Sequence, residues 1–171
     1  MPTLCLLRHA KSAWDDPTLD DHERPLQARG ERAAVLMGQF MRQRDIRPDL
    51  VLCSSARRAQ DTWALAASRL PGSQALSVER ELYLSGATAL LERLRSLPRN
   101  AGTVALVAHQ PDMQDLALML VGDGPADDLA DLQEKFPTAG LAVIATPGKD
   151  WRNLKPGSAR LVLFATPKNL V

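Results

Sequence analysis

The sequence predicts an α/β fold: a three-layer sandwich in which helices cover both faces of a mostly parallel central sheet that carries an antiparallel edge. Three observations lead there. Short aliphatic runs alternate along the chain with longer segments of helical periodicity, the pattern of strand and helix units. Three of those runs stop abruptly in polar residues, at Arg8-His9, at Ser54 and at His109. The last two runs instead follow one another through Pro147-Gly148 and Pro156-Gly157, turn pairs suited to antiparallel strands.

Taken in order, Thr3 to Leu7 is a buried strand whose carboxyl end meets Arg8-His9. Asp15 to Asp21 is loop, broken by Pro17, and His22 beside Asp20, Asp21 and Glu23 belongs to the same solvated stretch rather than to a metal site. From Gln27 to Asp45 the residues Ala33, Leu36, Met37, Phe40 and Met41 recur at helical spacing until Arg47-Pro48. Leu50 to Cys53 is the second strand. Ser54-Ser55 is suited to cap the helix that runs from Arg57 to Leu70, with Arg57 itself on the surface. A small strand at Leu76 to Val78, a helix at Thr88 to Leu97 and a turn at Pro98 to Gly102 come next. Thr103 to Ala108 is a third, strongly apolar strand, and Pro111 fits the first turn of a helix reaching about Val121. Gly122 to Glu134 reads as an acidic, solvated loop near the site rim, and Leu141 to Ala145 and Arg160 to Ala165 as the closing strands. With no repeat, low-complexity tract or long linker, residues 1–171 are expected to form a single domain.

Composition excludes more than it assigns. A 45% apolar and 24% charged chain is ordinary for a globular protein, and a net charge of +1 supplies no field drawing it to nucleic acid or an anionic membrane. No apolar stretch approaches the roughly 18 residues of a membrane helix, and Arg8 interrupts the apolar start, so the expected location is cytoplasmic. Cys5 and Cys53 lie inside aliphatic runs and are expected to be buried free thiols. Trp63 and Trp151 are expected to pack, and Trp14 to pack or wall a pocket, since no basic track accompanies them.

The chemistry collects at the strand ends. In open parallel sheets the crevice beyond the carboxyl ends is the usual ligand site, because helix N-termini with free N–H groups open there too. Two histidines and two arginines converging on that crevice suit a phosphoryl group: guanidinium groups bind its oxygens and an imidazole can attack phosphorus.

The segment Leu7-Arg8-His9-Ala10-Lys11-Ser12-Ala13-Trp14 resembles the signature that opens the histidine phosphatase superfamily, in the Ala-Lys-Ser variant of the small SixA-type phosphohistidine phosphatase branch. Three more segments are similar to family elements and stand in the expected order: Arg24-Pro25-Leu26 with Gly30, Ser54 to Thr62, and Val107-Ala108-His109-Gln110-Pro111. The resemblance implies that His9 becomes phosphohistidine, that Arg8 and Arg58 hold the phosphoryl oxygens, and that His109 completes the catalytic pocket. It also assigns Arg24 to phosphate or substrate binding, with Ser12 contributing a hydroxyl. Ala10 departs from the usual glycine, removing the freedom for positive φ. Members that act on sugar phosphates use a carboxylic acid on the leaving oxygen, and Glu81 is the nearest candidate for that acid. Neither a metal nor another cofactor is implied. The substrate expected from the resemblance is phosphohistidine on a protein, with inorganic phosphate as product; a small phosphate ester is the alternative. A phosphate- or phosphoprotein-binding module without turnover is the alternative of another class.

Overall fold

The computed structural model describes residues 1–170. In chain order its regular elements are β1 (Thr3–Arg8), α1 (Ala28–Gln43), β2 (Leu50–Ser54), α2 (Arg57–Ala67), β3 (Ala75–Glu79), α3 (Ala87–Arg95), β4 (Thr103–Ala108), α4 (Asp112–Leu120), β5 (Val121–Asp123), α5 (Ala126–Glu134), β6 (Leu141–Ala145) and β7 (Ala159–Ala165). The strands form one sheet in the order β3-β2-β4-β1-β6-β7-β5. β3, β2, β4 and β1 are mutually parallel, and β6 runs antiparallel to both β1 and β7.

Alternation along the strands decides which layer each side chain joins. Leu4 and Leu6 point to one face, where Leu90 and Leu94 of α3, Met113 and Leu116 of α4 and Leu132 of α5 cover them. Cys5 and Leu7 point to the other, under Met37 and Met41 of α1 and Trp63 and Ala66 of α2. Both faces of the central strands are therefore apolar, which explains why β1 and β4 read as unbroken aliphatic runs. Cys5 and Cys53 are buried and unbridged, and burial pushes both thiols up to about 12. Trp63 and Trp151 are core residues, whereas Trp14 is exposed.

The structure corrects two expectations. Gly122 to Glu134 is not a loop: it supplies most of β5 and all of α5. α5 exposes its acidic face and buries only Leu132, too thin an apolar stripe to register as periodicity, while Asp127 and Asp128 sit in the first turn where the helix dipole favours them. Ser54-Ser55 does not cap α2, which starts after Ala56 without a side-chain cap. The Ser54 hydroxyl is turned instead toward His109.

Candidate active site

Because β4 lies between β2 and β1, the carboxyl ends of these three strands are adjacent, and each delivers a polar side chain to one place. The imidazoles of His9 and His109 stand with ring centroids 5.2 Å apart, and the two residues are 7% and 1% exposed. Arg58, on the first turn of α2, reaches over them, its Nε directed at His9 Nε2 at 3.4 Å.

The geometry fixes the state of His9. Its Nδ1 lies 2.8 Å from the Ala10 carbonyl, which can only accept, so Nδ1 carries the hydrogen and Nε2 presents its lone pair. Burial lowers the pKa of this imidazole; the Ala10 hydrogen bond acts the other way, and Arg58, Arg8 and Arg24 add to the lowering, leaving it at about 4. His109 is lowered further, to about 3, by burial first and then by His9 and Arg58, although Asp21 opposes the shift. Its Nε2 is 2.7 Å from Ser54 Oγ, while its Nδ1 is buried without a protein partner among the described residues.

Arg8 donates from Nη1 to the Phe136 carbonyl at 2.8 Å, and its Nε is the other buried, unpartnered side-chain atom. Burial lowers the Arg8 pKa, with Arg58 repelling it as a second cause. The segment after His9 is tied to α2: Ala10 donates its N–H to Thr62 Oγ1 at 2.9 Å, and that hydroxyl donates to the Arg58 carbonyl at 2.7 Å. Ala10 sits here without positive φ.

Arg24 is stacked with its guanidinium carbon 3.4 Å from the Trp14 ring centroid and donates to Ser12 Oγ at 2.7 Å. Ser12 is therefore brought to the site's edge, with its hydroxyl engaged by Arg24. Gly30 makes this edge possible, since a Cβ there would lie 2.2 Å from the Lys11 carbonyl oxygen.

Glu81 is not brought in. It is exposed on the 3-10 turn Arg80–Leu82, and among the described residues it makes no hydrogen bond or ion pair with the pocket. The residues that do enter, unforeseen from sequence, are Asp21 and Tyr83. Asp21 joins Arg24 and Arg58, and the Tyr83 hydroxyl donates to Asp21 Oδ2. Burial would raise the Asp21 carboxyl, yet the Tyr83, Arg24 and Arg58 hydrogen bonds outweigh it and hold it at about 2. The Tyr83 ring meets the edges of both His22 and His109, so His22, which also contacts Ser55 Oγ at 2.8 Å, borders the site rather than floating in a loop. No group of three or more His, Cys, Asp or Glu side chains placed to hold a metal ion occurs among the described residues.

Comparison with known proteins gives a consistent picture. A family model described as the histidine phosphatase superfamily (branch 1) matches residues 4–83. An uncharacterized protein of Mycobacterium tuberculosis is 37% identical over 164 residues, covering 95% of this chain and 100% of that relative. Among solved structures, a protein of Agrobacterium tumefaciens assigned as a phosphohistidine phosphatase SixA is 30% identical, covers 98% of this chain and 99% of its own, and superposes with a TM-score of 0.83. A mycobacterial glucosyl-3-phosphoglycerate phosphatase shares the fold at 18% identity and a TM-score of 0.63, covering 95% of this chain and 98% of its own.

Proposed function

The chain belongs to the histidine phosphatase superfamily, and from that premise we propose that it removes phosphate from phosphohistidine in a protein, through a phosphohistidine intermediate on its own His9. One observation carries the mechanism: His9 is held by the Ala10 carbonyl in the tautomer whose Nε2 lone pair faces Arg58 across a buried, cationic pocket. In the first step Nε2 attacks phosphorus of a phosphohistidine that carries a proton on its other ring nitrogen, the bond to that imidazole breaks, and the electron pair leaves with the ring as neutral imidazole. In the second, water attacks phosphorus, the bond to Nε2 breaks, its electron pair returns to His9, and inorganic phosphate leaves.

The groups that meet the phosphoryl oxygens are Arg58 Nε, the unpartnered Arg8 Nε and His109. A Ser54 hydroxyl donating to His109 Nε2 leaves the hydrogen on Nδ1, the atom without a protein partner. Donors aimed beforehand at developing charge contribute about 10²- to 10³-fold each. Arg24, with Ser12 behind it, extends the positive edge toward the rest of the substrate.

The acidic groups near the pocket support this choice of substrate. Glu81 is exposed and makes no hydrogen bond or ion pair with the pocket among the described residues, and Asp21, held at about 2, carries no proton at neutral pH. Leaving groups that need little protonation are therefore favoured, and an imidazole leaving from phosphorus is one. The relative assigned as a SixA phosphohistidine phosphatase points the same way. A small phosphate ester is the second reading, favoured by the Tyr83 hydroxyl, a proton-bearing group beside Asp21.

The test is a screen of phosphohistidine proteins beside a panel of phosphorylated metabolites, with His9→Ala as control and an alkaline quench to preserve phosphate on His9. Fast turnover of the proteins and acid-labile phosphate on wild-type His9 are expected. A metabolite turned over faster moves the assignment to the ester. Phosphate binding with no turnover of any substrate would make the chain a binding module.

A further inference from the structure

Asp21 has no part in the steps above, yet its carboxylate accepts four hydrogen bonds at the site. Its backbone carbonyl accepts from Arg58 Nη1 at 2.7 Å, and its Oδ2 accepts from Arg58 Nη2 at 3.0 Å. Oδ1 accepts from Nε and Nη2 of Arg24 at 3.1 and 3.0 Å. Both terminal nitrogens of Arg58 thus donate to one residue, while Nε is directed at His9. Asp21 itself is held by the 3-10 turn Asp21–Glu23, whose His22 contacts Ser55 Oγ, so the carboxylate is anchored on both sides of the pocket.

We propose that Asp21 is a positioning residue for phosphoryl transfer: it turns Arg58 so that Nε faces the nucleophile, and its negative charge keeps the three-arginine pocket from holding free phosphate too tightly. This rests on the phosphoryl-transfer reading given above. A guanidinium free to present two nitrogens together meets an anion as a rigid fork. With Nη1 and Nη2 each donating to Asp21, Arg58 is held in one orientation, its Nε edge turned toward the place of the phosphoryl oxygens. That arrangement favours the geometry of transfer over strong grip on the ground state, as catalysis requires. The carboxylate beside Arg24 and Arg58 also offsets part of the positive charge that would otherwise retain the product.

The two effects have opposite signs when Asp21 is removed, which makes them testable. Phosphoenzyme formation is measured in single turnovers with phosphoramidate and with an alkyl phosphate, and affinity is measured for inorganic phosphate, on wild type, Asp21→Ala and Asp21→Asn. Asp21→Ala is expected to slow phosphoryl transfer by about 10²-fold with either substrate, while binding inorganic phosphate about three- to tenfold more tightly. Asp21→Asn retains an oxygen for Arg58 and loses the charge, so it should recover much of the rate while keeping the tighter binding. Loss of rate and phosphate affinity together, in both variants, would mean a merely structural role and overturn the proposal. A rate loss confined to the alkyl phosphate would make Asp21 a proton donor and overturn it as well. A wild type that forms no phosphoenzyme brings down the mechanism itself, an outcome distinct from either of these.

Discussion

In its proposed role as nucleophile His9 must stay unprotonated, a demand that burial and the surrounding arginines meet by holding it at about 4. The free enzyme should lose kcat/KM on the acid side only as pH falls toward about 4, well below an ordinary histidine, which a pH–rate profile with saturating buffer checks. The same shifts bear on stability. His9 and His109 have folded pKa values below the ordinary histidine value of 6.5, so the unfolded chain binds the extra protons. Their contribution is complete above pH 6.5 and drains away as pH falls toward 4 for His9 and 3 for His109. Melting temperatures between pH 6.5 and about 4.5 should therefore decline more in wild type than in a His9→Asn, His109→Gln double variant. His109→Ala should leave turnover slowed by about 10²- to 10³-fold rather than abolished, since it spares the attacking nitrogen. Arg8, His9, Arg58 and His109 were legible in the sequence because each closes a strand or opens the helix after it. Asp21 and Tyr83 were not, since their partners lie 37 and 62 residues away. The one local signal was the spacing of Asp21 and Arg24, which form an i,i+3 ion pair.

Two glycines in α1 separate what an element does for the site from what it does for the core. A Cβ on Gly30 would fall 2.2 Å from the Lys11 carbonyl oxygen, two residues beyond His9; one on Gly38 would fall 2.2 Å from the Ala66 carbonyl oxygen in α2. Both oxygens are backbone and cannot swing aside. Gly30→Ala and Gly38→Ala should each cost about 1–3 kcal/mol in denaturant unfolding. Only Gly30→Ala should also lower kcat, by moving the Ala10–Ser12 stretch. Strands β1, β2 and β4 and helices α1 to α4 could be read from sequence to within a few residues, because their apolar faces are wide. α5 could not: Gly124-Pro125 signals a turn, and the helix behind it contributes one buried leucine.

On the scale of the whole molecule, a chain with a net charge of +1 concentrates three arginines at one end of its sheet without assembling a group of metal ligands among the described residues. Turnover in excess EDTA should match turnover without it; loss of activity restored by added divalent metal would contradict this. The sheet order carries a further consequence, for how the protein is made. β1 and β2 leave the ribosome before β4 but are not neighbours; the place between them belongs to β4, which is synthesised some fifty residues after β2. Until Thr103–Ala108 inserts, His9 and Arg58 have no common wall, and the apolar edges of β1 and β2 lack the strand that joins them. Catalysis at His9 should therefore await completion of the sheet's centre: a nascent or truncated chain that already carries His9 and its arginines is expected to be inert, and the strand that brings the second histidine to be the one that switches the enzyme on.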